Sequence, residues 1–429
     1  MISAFRSRFN SSFRPEDYAS LLGLLQQECG MEIPFRVAET PVFVPLALLN
    51  EMALAGAELT RNLMSNPVYP AAARQAIPRG YAVPAETLHP HFLTADFALV
   101  TGPQGRLVPK LVEIQAFPSV FGYQAILCNA YRTAFNLPAG LGCFLSGLTE
   151  ESYWELLGRT ILGNYGARNV VLIEIDPLNQ KTRPDFEITM RRLGIAVRDI
   201  ASLFVVGNKL HYGTEDGWMV PIRRIYNRAI ADELIARNVR LPFDLTHEWT
   251  VEWAGHPNWY FLISKFSIPW LSRPPFAHPV VPPAVFLNEF LDGPGRAQLM
   301  AQGVPIPADM GPETIYGELV LKPLFSFAGK GIVFAPAQQQ LEEIPPWERQ
   351  NYLLQQRMDF VPTIETPSGL TQAEFRILYL WPDGGSLTPA LSLVRLGRGK
   401  MMGVDHNKNL DWVGASAAFY PLDPAPEPI

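Results

Sequence analysis

The pattern of apolar and polar positions divides the chain into a helical first part and a remainder rich in strands. Four leucines take neighbouring helical positions in residues 16–28, and residues 45–64 are rich in leucine, alanine and methionine. These patterns predict two helices that face the core. The methionine and leucine content of these two segments fits packing better than a cofactor site, because such positions are usually buried. Two further helices are predicted at 122–135 and 151–165.

From residue 169 the pattern becomes that of a parallel sheet. A buried strand is predicted at 169–176, a helix at 185–193 and a second strand at 195–198, which is the order of a β-α-β unit. Ligands often bind at the carboxyl ends of such strands, so Asp176 is a candidate for contact with substrate. An Asp at a strand end more often caps the turn that follows.

A further apolar strand at 222–228 carries three arginines, Arg223, Arg224 and Arg228. Arginine is well suited to hold an acidic group because its planar guanidinium donates two parallel hydrogen bonds. We expect one of the three to bind an acidic substrate and the other two to form surface salt bridges.

Two apolar runs, 92–101 and 107–119, flank a Gly-Pro-Gln-Gly turn and predict a β-hairpin. The polar exceptions are Asp96 on the first strand and Glu113 and Gln115 on the second. Because side chains alternate across a strand, Glu113 and Gln115 share one face, and Asp96 can lie opposite them. Two carboxylates and an amide oxygen are ligands suited to Mg²⁺. The alternative is a hairpin with a solvated polar face.

The segment 319–334 reads as a strand ending at Lys322, a loop with Gly329, Lys330 and Gly331, and a second strand. Glycines let a backbone come close to phosphates and expose its N–H groups to them, and Lys322 would supply a mobile positive charge. The segment therefore predicts a nucleotide site. A plain hairpin with solvated lysines is the alternative, because one Gly-Lys-Gly is a common sequence.

Several later segments add to this picture. Lys265 lies within an apolar segment, where a lysine must either reach solvent or meet an anion such as phosphate. Strands are predicted at 352–358, 374–381 and 390–396. The first of them carries Gln355 and Gln356, which would contact a purine.

Composition narrows the class of protein. The chain has 429 residues, of which 48% are hydrophobic and 18% charged, as in globular proteins of two or three domains. A net charge of −6 without basic clusters argues against a nucleic-acid partner. We expect no membrane span and no secretory signal. Cys29, Cys128 and Cys143 cannot all pair and lack metal-ligand spacing, so we predict a cytoplasmic protein with free thiols.

Taken together, these motifs resemble the ATP-grasp superfamily, in its circularly permuted branch that includes the synthetase domain of glutathionylspermidine synthase. In that branch the metal-binding motif precedes the phosphate-binding lysines, as it does here. The resemblance implies a mixed α/β fold (α+β mixed) with a β-α-β substrate subdomain. It divides the chain into a helical region at 1–90, a metal-binding hairpin and helix at 91–150, the substrate subdomain at 151–255, and the lysine strands, phosphate loop and C-terminal strands at 256–429.

The resemblance also implies roles for individual residues. Asp96, Glu113 and Gln115 would bind Mg²⁺, and Arg395 and Arg376 would be the catalytic arginines. The ATP-binding residues would be Lys265, Lys322, Ser326, Gly329, Lys330, Gly331, Gln355 and Gln356. Two features depart from the family pattern, because Gln115 stands where Asn is usual and the phosphate loop has few glycines.

The resemblance implies an ATP-dependent carboxylate–amine ligase that works through an acyl phosphate, with small-molecule acid and amine substrates. A second hypothesis is an ATP-binding or scaffold protein that retains the fold without turnover, which the two departures favour. A kinase on the same fold is a third. The oligomeric state and the identities of the acid and the amine are not predicted.

Overall fold

We describe the protein from a computed structural model, in residues 1–307, 311–326, 329–400, 402, 407 and 409–422. The helices in these ranges are α1 (Ser3–Ser12), α2 (Pro15–Cys29), α3 (Leu46–Ser65), α4 (Val68–Arg74), α5 (Phe121–Ala134), α6 (Glu150–Leu162), α7 (Arg183–Leu193), α8 (Ala231–Ala236), α9 (Trp259–Leu262), α10 (Ser267–Leu271), α11 (Leu287–Leu291), α12 (Pro294–Ala301) and α13 (Gln338–Glu342).

The strands are β1 (Val42–Phe43), β2 (Phe92–Thr101), β3 (Leu107–Gln115), β4 (Leu141–Gly142), β5 (Val170–Glu174), β6 (Ala196–Asp199), β7 (Phe204–Val206), β8 (Lys209–Gly213), β9 (Met219–Pro221), β10 (Arg224–Asn227), β11 (Glu252–Ala254), β12 (Ala284–Phe286), β13 (Leu319–Pro323), β14 (Val333–Phe334), β15 (Tyr352–Gln356), β16 (Ile364–Thr366), β17 (Gly369–Leu380), β18 (Thr388–Gly397) and β19 (Gly414–Pro421). Short 3-10 turns connect some of these elements.

The strands form four sheets. The large sheet has the order β1-β19-β18-β17-β2-β3, with β16 beside β17 and β4 beside β19. The parallel sheet has the order β11-β10-β5-β6. The lysine sheet, so called because it carries Lys322, is antiparallel with the order β12-β15-β13-β14. A three-stranded antiparallel sheet joins β7, β8 and β9. The protein is therefore a mixed α/β fold, as the sequence predicts.

The local predictions agree with these elements. The hairpin at 92–119 is the antiparallel pair of β2 and β3, and the segment 319–334 is the pair of β13 and β14. The predicted β-α-β unit is β5, α7 and β6, whose strands are parallel. Helix α7 ends at Gly194, whose φ of 70° is a left-handed conformation that glycine adopts most easily.

The two faces of the large sheet pack on different cores. Along β17, Phe375 and Ile377 lie in the core formed with α3 and α10, whereas Leu378 and Leu380 lie in the core formed with α2, α5 and α6. This is the two-residue alternation of a strand. The charged residues Glu374 and Arg376 therefore lie on the same face of the sheet as α5.

Two expectations about position are wrong. Lys265 is not on a strand but in the turn between α9 and α10. The aromatic-rich segment on either side of it forms these two short helices. Arg224 does not form a surface salt bridge. Its side chain is 2% exposed and pairs with Asp383 at 2.7 Å and Glu252 at 2.9 Å.

The predicted domain boundaries at 90, 150 and 255 remain predictions. Cys29, Cys128 and Cys143 are buried free thiols. Among the described helices, none is both long and apolar enough to cross a membrane.

Candidate active site

A cavity of about 470 Å³ lies between the large sheet and the lysine sheet. Its lining includes residues from β2, β3, β13, β15, β17 and β18, which are far apart in sequence. A concave site of this size, with charged groups that converge on it, is the usual form of a small-molecule site. The predicted residues that line the cavity are Asp96, Glu113, Gln115, Lys265, Lys322, Ser326, Gly329, Gln355, Gln356, Arg376 and Arg395.

An irregularity in the β2–β3 hairpin shapes one wall of the cavity. Asp96 pairs with Glu113 but Phe97 pairs with Leu111, so Val112 has no partner on β2. A bulge of this kind frees a backbone group and re-aims the neighbouring side chains. The carbonyl oxygen of Val112 accepts a hydrogen bond from Lys322 Nζ at 3.3 Å. The bulge thus joins the early hairpin directly to the late lysine.

Lys322 is buried at the end of β13. Its Nζ also donates to Gln355 Oε1 at 2.6 Å, across the pairing of β13 with β15. Burial lowers the pKa of Lys322 to about 8, although nearby Glu113 opposes this shift. Both acceptors of the ammonium are uncharged. The positive charge is therefore costly in the free protein, and an anion in the cavity would stabilise it.

Lys265 lies beside Glu113. Its Nζ is 3.5 Å from Glu113 Oε2 and donates to the carbonyl oxygen of Ser326 at 2.8 Å. The backbone N–H of Ala116, just beyond β3, donates to Ile263 at 2.9 Å, which fixes the lysine-bearing turn to the hairpin. Lys265 thus connects the hairpin with the beginning of the predicted phosphate loop.

The carboxylate of Asp96 is held by two arginines. Arg376 donates to it through Nε at 2.6 Å and through a terminal nitrogen at 2.7 Å, because Arg376 is the direct partner of Asp96 across β2 and β17. Arg395 donates to it as well. Burial alone would raise the pKa of Asp96, but the two arginines hold the pKa below its usual value. Asp96 therefore fixes the positions of both predicted catalytic arginines.

Glu374 completes this cluster and was not predicted as a site residue. It lies opposite Arg395 in the pairing of β17 with β18, 2.6 Å from a terminal nitrogen of that arginine. Burial raises the pKa of Glu374 to about 7, with Arg395 opposing the shift. The alternation along β17 placed Glu374 with Arg376 on one face. Only the pairing of distant strands shows that this face borders the cavity.

The predicted magnesium ligands fit a metal only in part. Glu113 and Gln115 face the cavity on one side of β3, and the amide of Gln115 donates to Glu113. Asp96 does not fit, because arginines donate short hydrogen bonds to both of its oxygens, whereas the cations beside Glu113 lie farther away, at 3.5 Å. No group of three His, Cys, Asp or Glu side chains among the described residues is arranged to hold a metal. A Mg²⁺ ion held by Glu113 and Gln115 would thus need further ligands from nucleotide phosphates, as is common for Mg²⁺.

The predicted phosphate loop lies beside the cavity. Gly329 and Gly331 have φ of 72° and 79°, which favours glycine at both positions. Gly329 and Ser326 line the cavity, whereas Lys330 and Gly331 are exposed and are not part of its lining. Residues 327 and 328 of this loop lie outside the described residues.

Two of the weaker candidates have different outcomes. Asp176 accepts hydrogen bonds from the Asn179 side chain at 2.9 and 3.0 Å, so its carboxylate is engaged within the turn that follows its strand, without a capping bond to the backbone. Arg228 is 4% exposed and lines the cavity. Of the three arginines near β10, Arg228 is thus the one placed to meet a ligand.

Comparison with known proteins gives a likeness of fold. No protein-family model matches the sequence, and no curated protein matches it either. Among solved structures, the chain is similar to the apo form of a glutathione synthetase-like effector (GSS30) from Globodera pallida. The TM-score is 0.54 and the identity 12%, over 95% of this chain and 96% of that chain. In fold, this chain is therefore similar to a glutathione synthetase-like protein.

Proposed function

We propose that the protein is an ATP-dependent carboxylate–amine ligase that forms an amide through an acyl phosphate. The observation that carries the proposal is the meeting of Glu113, Lys265 and Lys322 around one cavity. Lys322 contacts the hairpin at Val112, and Lys265 lies 3.5 Å from Glu113. The similarity of fold to a glutathione synthetase-like protein is consistent with this chemistry.

The charge of the cavity favours a polyanion. Among the described lining residues, seven are basic and three are acidic. The basic ones are Lys181, Arg228, Lys265, Lys322, Arg376, Arg395 and Lys400, and the acidic ones are Asp96, Glu113 and Glu374. Walls with an excess of one sign attract ligands of the other sign. A nucleoside triphosphate together with an acid would supply the missing negative charge.

The reaction proceeds in two steps. A carboxylate oxygen of the acid attacks the γ-phosphorus of ATP, and the bond from that phosphorus to the β,γ-bridging oxygen breaks, releasing ADP. The amine nitrogen then attacks the acyl carbon, inorganic phosphate leaves, and the nitrogen loses a proton. Lys322 and Lys265 neutralise the transferred phosphate, and Arg376 and Arg395 orient the carboxylate.

Mg²⁺ and the predicted phosphate loop would assist these residues. Bound Mg²⁺, held by Glu113 and Gln115, would neutralise further charge on the phosphates. Lys265 donates to the carbonyl oxygen of Ser326, and the predicted phosphate loop that follows would cover the phosphates and exclude water. Exclusion of water matters because water hydrolyses an acyl phosphate. Gln356 and Gln355, on β15, would contact the purine.

An assay of ADP release over panels of acids and amines tests the proposal. We expect ADP release that requires an acid, and trapping of the acyl group by hydroxylamine as a hydroxamate. ADP release that is independent of any acid would contradict a ligase. Loss of hydroxamate in Lys322→Met, with its amount unchanged in the exposed-surface variant Lys209→Ala, would assign the activity to this cavity.

A second candidate is a protein that binds ATP without turnover. The engagement of Asp96 by Arg376 and Arg395 favours it, because an expected metal ligand is then occupied within the protein. In that case ATP binds to the cavity, but no acid or amine leads to ADP release.

A further inference from the structure

The cavity has a second positively charged region at Arg228, just beyond the end of β10. The guanidinium lies 5.1 Å from the ring centres of both Phe117 and Phe186. It donates to the carbonyl oxygen of Pro118 and to the Thr182 hydroxyl at 3.2 Å. These contacts fix the plane of the guanidinium. They leave N–H groups available, since the side chain carries five donors.

The charge of Arg228 is compensated only at a distance. Among the described residues, its hydrogen-bond acceptors are neutral and its Nε makes no hydrogen bond. It forms a buried ion pair with Glu174, at 3.9 Å from Nε, and it also interacts electrostatically with buried Asp185. Burial raises the pKa of Glu174 to about 8, although Arg228 opposes the shift. Because a buried cation without a hydrogen-bonded carboxylate is costly, an anionic ligand at this place would stabilise it.

A second cation lies next to Arg228. Lys181 lines the same cavity, and the next residue, Thr182, accepts the hydrogen bond from Arg228 at 3.2 Å. Two basic side chains from different parts of the chain therefore border the cavity here.

This region is continuous with the reacting centre. Pro118 contacts Arg228, and the next residue, Ser119, accepts a hydrogen bond from Arg376 at 3.2 Å. Arg376 in turn contacts Asp96 and Glu113. One small molecule can therefore reach Arg376 with one end and Arg228 with the other.

We propose that Arg228 and Lys181 form a subsite for a second carboxylate of the acid substrate. The substrate class is then a dicarboxylic acid, with one carboxylate activated beside Arg376 and the other held at Arg228. A planar carboxylate matches a guanidinium whose plane is fixed by two aromatic rings. This inference rests on the proposed ligase function, whose cavity it shares.

Calorimetric titration of the full-length protein with paired acids tests the subsite. The pairs are malonate with propionate, succinate with butyrate, glutarate with pentanoate and adipate with hexanoate, each with and without a non-hydrolysable ATP analogue. We expect at least one diacid to bind about tenfold or more tightly than its partner, since a hydrogen bond to a charged group can strengthen binding by about that factor.

One variant assigns the preference to this region. Arg228→Lys keeps the charge but loses the planar fork. It should reduce the preference for the diacid by about threefold or more, and Lys209→Ala on the exposed surface should not. Equal affinity for diacid and monoacid at every length overturns the subsite, as does a preference that Arg228→Lys retains. If the ATP analogue does not bind but the diacid preference persists, the ligase proposal fails and the subsite stands.

Discussion

At the scale of single residues, the site depends on charged groups whose partners lie far away in sequence. Lys322 is an example. It is buried against neutral acceptors and has a pKa lowered to about 8. A negative phosphate attracts only the protonated amine, so the affinity for nucleotide should depend on pH in a range where most lysines remain charged.

The first prediction concerns this pH dependence. A pKa near 8 means that Lys322 is mostly protonated at pH 7 and mostly neutral at pH 9. The affinity for ATP should therefore fall about tenfold between these values. Calorimetric titration at several pH values measures it. In Lys322→Arg the guanidinium stays charged, so its profile should be flat. A flat wild-type profile would show that the lysine charge does not contribute.

The second prediction separates Asp96 from Glu113. Asp96→Asn leaves Arg376 and Arg395 without their shared carboxylate, so we expect a higher KM for the acid and an unchanged magnesium requirement. Glu113→Gln should instead raise the magnesium concentration needed for half-maximal ADP release by about tenfold or more. Steady-state kinetics with varied acid and varied magnesium measure both. An increased magnesium requirement in Asp96→Asn would identify Asp96 as a metal ligand after all.

The sequence predicted part of this cluster and not the rest. Local alternation in the hairpin indicated that Asp96 and Glu113 could lie opposite each other, and they do. The pairing of Asp96 with Arg376 spans 280 residues, and no local pattern carries that information. Glu374 was not predicted for the same reason. Its place in an otherwise apolar strand is evident from the sequence, but its neighbour across the sheet is not.

At the scale of elements, short-range patterns predicted the pieces well. The β2–β3 hairpin, the β13–β14 hairpin and the parallel pair of β5 and β6 all follow from alternation and turn residues. The bulge at Val112 did not, because a bulge reflects the register between two strands. The large sheet also could not be predicted, since β2 lies beside β17 and their residues are separated by most of the chain.

The third prediction concerns an ion cluster that joins two sheets. Arg224, on the parallel sheet, contacts Asp383, in the turn between β17 and β18 of the large sheet. It also donates to the carbonyl oxygens of Thr160 and Ile161. Arg224→Leu leaves these carbonyl acceptors without donors, whereas Glu252 and Asp383 are half exposed, so we expect a loss of about 1–3 kcal/mol in the free energy of unfolding. Urea denaturation measures the loss.

The adjacent Arg223 provides the matched control. It is exposed, so Arg223→Leu should change the free energy of unfolding by less than about 0.5 kcal/mol. Equal effects of the two substitutions would mean that the cluster around Arg224 does not contribute to stability.

At the scale of the whole molecule, four sheets bring an early hairpin and a late lysine to one cavity. The order of the motifs along the chain suggested this arrangement, and the hydrogen bond from Lys322 to Val112 spans 210 residues. The second positive region at Arg228 belongs to the same cavity but comes from the parallel sheet. The size and sign of charge of the cavity emerge only at this scale, because each wall comes from a different part of the chain.

The central claim is that this cavity binds ATP through Lys322. Calorimetric titration with ATP and Mg²⁺ tests it most directly, on the wild type, Lys322→Met and the surface control Lys209→Ala. Methionine keeps the chain length but removes the charge. We expect ATP to bind the wild type and Lys209→Ala equally, and Lys322→Met at least about tenfold more weakly. Equal ATP affinity in Lys322→Met, with its fold intact by circular dichroism, would contradict the account.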